Sequence, residues 1–320
     1  MPRTSRFGGL GIALVSSLSF GTSGALIKPL LEAGWSPAAA VTARALTASI
    51  VLAPLAAFAL RGHWAALWRG RWRVLGMGVI GVALTQLAYF AAIQLIPVST
   101  ALLVEFLAPL LLVGYAWART RQSPRVRVLL GCALAVGGLL LVIGPGAIQA
   151  VNPLGLVFAF SAAIGCAIYF LVAARPSDGL PPVALAASGL FVGAVMLALL
   201  GAVGVLPFTA TFGELPLFGS VAPWWLPLLI VAVVSTALAY VSGITASAAL
   251  GSRLASFVAL LEVVFASLFA WLLLGEALSA LQLVGGALIL CGIAAVHSDR
   301  TPAEPALPTL DPGVRRETMV

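Results

Sequence analysis

Charge is what this chain has least of. Only 8% of its 320 residues are Asp, Glu, Lys or Arg, where a soluble domain carries about a quarter. So few charges cannot cover a water-facing surface, which excludes an ordinary cytoplasmic enzyme. Histidine is nearly missing too. His63 and His297 are the only two, and both lie at the ends of apolar runs, so neither a metal cluster nor a Ser-His pair can be assembled inside those runs. Cys132, Cys166 and Cys291 each sit singly in an apolar run, which excludes a disulfide framework or paired metal ligands and leaves packing roles. No Gly-x-x-x-x-Gly-Lys-Ser/Thr segment occurs, so no phosphate-cradling loop is available for ATP. The sequence thus calls for no cofactor, no metal and no catalytic residue. Lys and Arg outnumber Asp and Glu by 17 to 10, but they fall between apolar runs instead of clustering on one face of a folded domain, which argues against a nucleic-acid partner.

What the chain has in quantity is apolar length. Hydrophobic residues make up 62% and the mean hydropathy is +1.13. At roughly 20 apolar residues per crossing, there is room for about ten membrane helices and little else. Uncharged runs place them at 9–27, 37–60, 73–95, 99–118, 128–146, 153–173, 183–206, 224–246, 254–274 and 280–297. The first run is long for a signal peptide and ends in no small-x-small cleavage site, so it reads as an uncleaved span. Short cytoplasmic loops carry the excess of Lys and Arg. With both termini cytoplasmic, 15 of the 17 basic residues fall on that side, leaving Lys28 outside and Arg44 within helix 2. Residues 1–8 form a short cytoplasmic N-terminus. From Ser298 to the end, Pro, Glu, Asp and Arg replace apolar residues, and 298–320 reads as a disordered cytoplasmic tail.

The first half of the chain can be laid on the second. A shift of about 144 sets Ser17 on Ser161 and Gly21 on Gly165. Slightly larger shifts set Gly34 and Pro37 on Gly179 and Pro182, Leu87-Ala88-Tyr89 on Leu238-Ala239-Tyr240, and Gly131 and Gly138 on Gly285 and Gly292. A unit of five helices re-enters the bilayer upside down when duplicated. The expected fold is therefore all-α and integral to the membrane, with ten transmembrane helices as two inverted five-helix repeats, 9–146 and 153–297. Such repeats are typical of secondary transporters, which place the substrate site near the midplane between the repeats.

Several segments then resemble the EamA family of the drug/metabolite transporter superfamily. They are Val41-Thr42-Ala43-Arg44 in helix 2, Val104-Glu105-Phe106-Leu107-Ala108-Pro109-Leu110 in helix 4, and Trp271-Leu272-Leu273-Leu274-Gly275-Glu276 followed by Leu283-Val284-Gly285-Gly286. The helix-4 segment is similar to the threonine/homoserine exporter branch, which implies efflux of small amino acids or related metabolites coupled to protons. The chain departs from the family pattern at Phe20, where a Trp is common, and at Val263, where a Pro often follows the helix-9 glutamate.

Three ionisable residues lie deep in the helices, and each costs at least about 2.5 to 3.5 kcal/mol at a bilayer centre unless it faces a partner or an aqueous cavity. Arg44 and Glu105 lie about 10 and 9 Å from the outer ends of helices 2 and 4 at 1.5 Å per residue. They either pair as a structural salt bridge or line a cavity, with Arg44 holding a substrate carboxylate in bidentate geometry and Glu105 holding an ammonium. Glu262 finds no arginine at the repeat position equivalent to Arg44, which is Gly189. It reads either as a proton-coupling carboxyl, a role for which Glu105 is the second candidate, or as a protonated structural residue. Gln86, Tyr89 and Tyr240 complete the candidate substrate site, while Ser17, Thr22, Ser23, Ser235 and Thr236 read chiefly as interhelical glue. Gly76, Gly78 and Gly81, with Gly285, Gly286 and Gly292, form small-residue faces for close packing or dimerisation. Trp68, Trp72, Trp224 and Trp225 suit interfacial anchoring.

The reading that follows is an inner-membrane, proton-coupled exporter of small amino acids, working by alternating access as a monomer or homodimer. Its partners are the lipid bilayer, a small-molecule substrate and protons. Uptake, export of cationic drugs or other metabolites, or a scaffold that moves no solute are the alternatives.

Overall fold

The computed structural model describes residues 6–96, 98–144, 152–176, 179–217, 220–275 and 279–299. Ten helices in it are long and apolar enough to cross a membrane. They are α1 (Gly8–Glu32), α2 (Pro37–Ala59), α3 (Arg71–Ile93), α4 (Thr100–Thr120), α5 (Val126–Ile143), α6 (Pro153–Ala174), α7 (Pro182–Ala202), α8 (Trp225–Leu250), α9 (Ser252–Leu273) and α10 (Ala280–His297). The sequence-based boundaries agree to within a few residues. The tail beyond 299, the repeat junction at 145–151 and Glu276 of the late motif lie outside the described residues.

Local chemistry starts these helices. Ser36 caps α2 by accepting from the Ala39 amide, and Pro37 fills the first turn, where no amide proton is needed. Asn152 caps α6 ahead of Pro153 in the same way, and Ser279 and Gln282 form a reciprocal capping box on α10. Ile50, Phe58, Leu199 and Leu283 are among many large apolar side chains left exposed, as a surface solvated by lipid tails requires.

Packing shows the internal symmetry. α1 lies on α8 and α9, and its repeat equivalent α6 lies on α3 and α4. α5 and α10 pack along most of their length through glycine. A Cβ built at Gly138 would sit 2.5 Å from the Gly285 carbonyl oxygen, and one at Gly131 would sit 2.9 Å from that of Gly292. Gly131 and Gly138 are the repeat counterparts of Gly285 and Gly292, so a two-fold exchange turns one contact into the other. The partner number falls as the residue number rises, so the helices run antiparallel and the repeats are inverted. These glycines are spent inside the chain instead of on a dimer face.

Breaks also recur at equivalent places. α3 and α8 each contain a π-helical stretch, Gly76–Leu84 and Val231–Leu238. Each is accompanied by a threonine five residues past an acceptor: Thr85 donates to the Ile80 carbonyl at 2.7 Å and Thr236 to that of Val231 at 3.1 Å. α4 is interrupted at Phe106–Leu107 ahead of Pro109, and α9 at Leu260. The second break forms without a proline, since Val263 stands at the position that matches Pro109.

One element has no counterpart in the helical pattern. Between α7 and α8 the chain makes a two-stranded antiparallel hairpin, β1 (Glu214–Leu217) with β2 (Ser220–Pro223). Leu215, Leu217 and Ala222 are buried with Leu30, Trp35 and Leu228, and Trp35 stacks on Trp224 with ring centroids 5.8 Å apart. Trp224 is thus a packing residue, whereas Trp68, Trp72 and Trp225 stay exposed. At the opposite, arginine-rich end, Arg71 lies over the Trp68 ring at 4.9 Å, and buried Asp299 reaches Arg125 at 3.2 Å and Arg253 at 3.5 Å. The described chain therefore keeps order through Asp299, two residues beyond α10.

Candidate functional site

Two apolar cores flank a cavity. One is built mainly on α2, α3, α6, α7 and α8, the other on α1, α5, α9 and α10. The cavity between them measures about 170 Å³. Helical periodicity decides which residues reach it. α1 presents Ala13, Ser16, Ser17, Phe20 and Ser23, a single face at spacings of three and four. α8 presents Tyr240, Gly243, Ala246 and Ser247, and α6 presents Cys166, Tyr169 and Phe170. From α3 come Gly81, Thr85 and Gln86, and from α4 come Glu105, Phe106, Ala108 and Pro109 around the helix break. α9 adds Ala255, Ser256, Ala259, Leu260 and Glu262, and α2 adds Arg44.

Arg44, Glu105 and Glu262 thus share one cavity, together with Gln86 and Tyr240. Arg44 donates from Nη1 to the Ser23 hydroxyl at 2.6 Å. No ion pair within 4.0 Å joins it to either carboxylate. Its electrostatic neighbours are Tyr240 and Glu262, and Glu262 interacts in turn with Glu105 and Arg44. The sequence offered Arg44 and Glu105 either as a salt bridge or as two groups lining a cavity, and left Glu262 without a counter-charge. The fold instead sets Glu262 in the field of Arg44, because α9 crosses the cavity from the other repeat.

Tyr89 does not line the cavity. It packs with Ala92, Ile96, Ala101 and Ala159, its ring 6.0 Å from that of Phe90, while its repeat counterpart Tyr240 faces the centre. Tyr169, Thr85, Ser247 and Ser256 line the wall and were not singled out from the sequence. Scarcity was the available signal for Tyr169, one of only four tyrosines in the chain. Cys166, read as packing, also reaches the wall. The hydroxyls of α1 are partly spent on packing: Ser16 donates to the Ala239 carbonyl at 2.9 Å, and Thr22 and Ser235 share a bond of 2.7 Å. Among the described residues the buried Tyr169 hydroxyl has no hydrogen-bond partner.

The two ends of the cavity differ. Towards the arginine-rich end the lining runs into fully buried residues, among them Ser247, Ala255, Ser256, Phe257 and Val258. There the second half of α4 packs on the first half of α9. Beyond the breaks at Leu107 and Leu260 the other halves of α4 and α9 separate, and Ser23, Gln86, Glu105, Phe106 and Glu262 are all partly exposed. The cavity is closed at the arginine-rich end and reached from the opposite one.

Comparison with known proteins agrees with this architecture. A solved structure described as "Crystal structure of protein" superposes with a TM-score of 0.72, covering 91% of this chain and 97% of its own at 21% identity, which shows a shared fold. An "Uncharacterized transporter" of Archaeoglobus fulgidus is 29% identical over 220 residues, 69% of this chain and 74% of that protein. The EamA-like transporter family model matches twice, over residues 7–144 and 153–297, which are the two five-helix halves. The chain is a multi-pass membrane protein and belongs to the EamA-like transporter family.

Proposed function

We propose that this transporter exports amino acids or related zwitterionic metabolites by alternating access, driven by protons. One observation carries the reading: a guanidinium and two carboxylates line a single cavity, and none is consumed in an ion pair with another. Charges held within membrane-spanning helices that are not neutralised by each other need a third party, and a zwitterion supplies both signs. Arg44 takes the carboxylate through the guanidinium nitrogens that Ser23 does not use. Glu105 takes the ammonium. Glu262, from the other repeat, is the carboxyl that gains a proton on one side of the membrane and releases it on the other. Gln86 and Tyr240 orient the solute by hydrogen bonding. The excess of basic residues at the closed end makes that end cytoplasmic, so the cavity described here faces outward and both termini lie inside.

The test is efflux from proteoliposomes loaded with a labelled amino-acid mixture, with and without an imposed proton gradient. Gradient-dependent loss of an amino acid is expected, and Glu105→Gln should abolish it while leaving thermal stability near that of the parent. A Glu105→Gln variant that unfolds would instead make the residue structural. Two carboxylates against one guanidinium also favour a second reading, export of an organic cation. Movement of cations with no movement of amino acids would select it.

A further inference from the structure

The charged groups occupy only part of the cavity. Four aromatic rings from three helices form a continuous edge-to-face wall beside them. The Phe20 ring lies 5.3 Å from that of Tyr240, Tyr240 lies 5.7 Å from Tyr169, and Tyr169 lies 5.1 Å from Phe170, at interplanar angles of 65°, 82° and 80°. All four line the cavity. Edge-to-face is a favoured arrangement of aromatic pairs, so the four rings support one another as one apolar surface. It meets the charged groups at Tyr240, an electrostatic neighbour of Arg44, with Phe20 of α1 on one side of that ring and Tyr169 and Phe170 of α6 on the other. Elsewhere the lining carries small side chains, Ala108, Ala246, Ala255 and Ala259.

Size points the same way. One water needs about 10–15 Å³ of such volume, so about 170 Å³ holds a solute of on the order of ten or more non-hydrogen atoms. The ammonium, α-carbon and carboxylate of an amino acid fill well under half of that. Alanine or serine would leave much of the volume beside the rings empty or wet, and the hydroxyl of threonine gains nothing from an apolar wall.

We propose that the ring wall is a side-chain subsite, and that the solute carries a bulky apolar side chain, aromatic or branched, laid against Phe20, Tyr240, Tyr169 and Phe170. This rests on the reading that Arg44 and Glu105 hold a zwitterion.

The experiment measures KM for alanine, threonine, leucine and phenylalanine in the same proteoliposomes. Leucine or phenylalanine should have a KM at least about tenfold below that of alanine, the lower end of what apolar contacts discriminate. Phe20→Ala should shrink that ratio to within about threefold, and Phe20→Leu, which keeps an apolar group there, should hold it at an intermediate value. The ratio is taken within each variant, so differences in expression cancel. Alanine or threonine preferred over the larger solutes, or a ratio unchanged in Phe20→Ala, overturns the subsite. Should no amino acid move, the zwitterion reading fails separately, and the wall is judged with tetramethylammonium against benzyltrimethylammonium. A tenfold preference for the benzyl compound supports it; equal transport, or movement of neither, overturns it.

Discussion

Arg44, Glu105 and Glu262 were legible one at a time, because each pays for burial in a bilayer and so marks itself in an apolar sequence. Their mutual arrangement was not. Which carboxylate faces Arg44 depends on how α9 crosses the cavity, and no local pattern encodes that crossing. Aromatic wall residues were harder still: Phe is common in these helices, and although Tyr169 is one of only four tyrosines, nothing in its spacing separates wall from core. The role proposed for Glu262 gives a direct expectation. Glu262→Gln keeps a hydrogen-bonding side chain but cannot gain or lose a proton, so solute exchange should persist while the response to a proton gradient disappears. A full gradient response in that variant would remove Glu262 from coupling. Tyr169 supplies a second expectation, of opposite sign to most substitutions. Its hydroxyl is buried without a partner among the described residues, which costs about 1–3 kcal/mol, and Tyr169→Phe deletes only that oxygen. The variant should melt a few degrees higher in detergent, and a lower melting temperature would mean that the hydroxyl is satisfied.

At the scale of elements, the ten spans could be read from apolar run length and from Pro, Ser and Asn at their starts. The irregular parts could not. The π-helical stretches in α3 and α8 have the composition of ordinary helix, and the break at Leu260 arises without a proline. The hairpin of β1 and β2 falls in a linker with no helical period, and its leucines pack on Leu228 and on Leu30 and Trp35, the last two distant in sequence. Glycine was legible as a small face, but its use was left open between packing and dimerisation. The contacts decide for packing within the chain, and they allow a controlled test. Gly138→Ala would force a methyl to 2.5 Å from the Gly285 carbonyl oxygen, a backbone atom that cannot swing aside, whereas a Cβ at Gly137 meets nothing within 4 Å. Overpacking of this kind costs about 1–3 kcal/mol. Gly138→Ala should therefore melt clearly lower than the parent and Gly137→Ala close to it, and equal melting of the two variants would mean that α5 and α10 do not meet through these glycines.

For the whole molecule, the same two-fold relation that brings Gly131 to Gly292 and Gly138 to Gly285 constrains how the protein moves. In the observed state the second half of α4 packs on the first half of α9, and the remaining halves stand apart. The repeat equivalent of that closed contact joins the second half of α9 to the first half of α4. If each repeat takes up the conformation of the other, the open end closes through this second contact and the closed end parts. Arg253 lies on the first half of α9 and is tied to Asp299 and through it to Arg125, so opening there must pull against those ion pairs. The symmetry thus names a contact that the observed state lacks. In a cysteine-free background, cysteines at 101–104 paired with cysteines at 265–268 should cross-link during turnover. The cross-linked protein should be locked with its cavity closed at the end opposite the arginine-rich one, and reduction should restore transport. Cross-links that never form in protein shown to be transporting would mean that the two repeats do not exchange conformations, and that the cavity opens to the arginine-rich end by some movement other than the parting of α4 and α9.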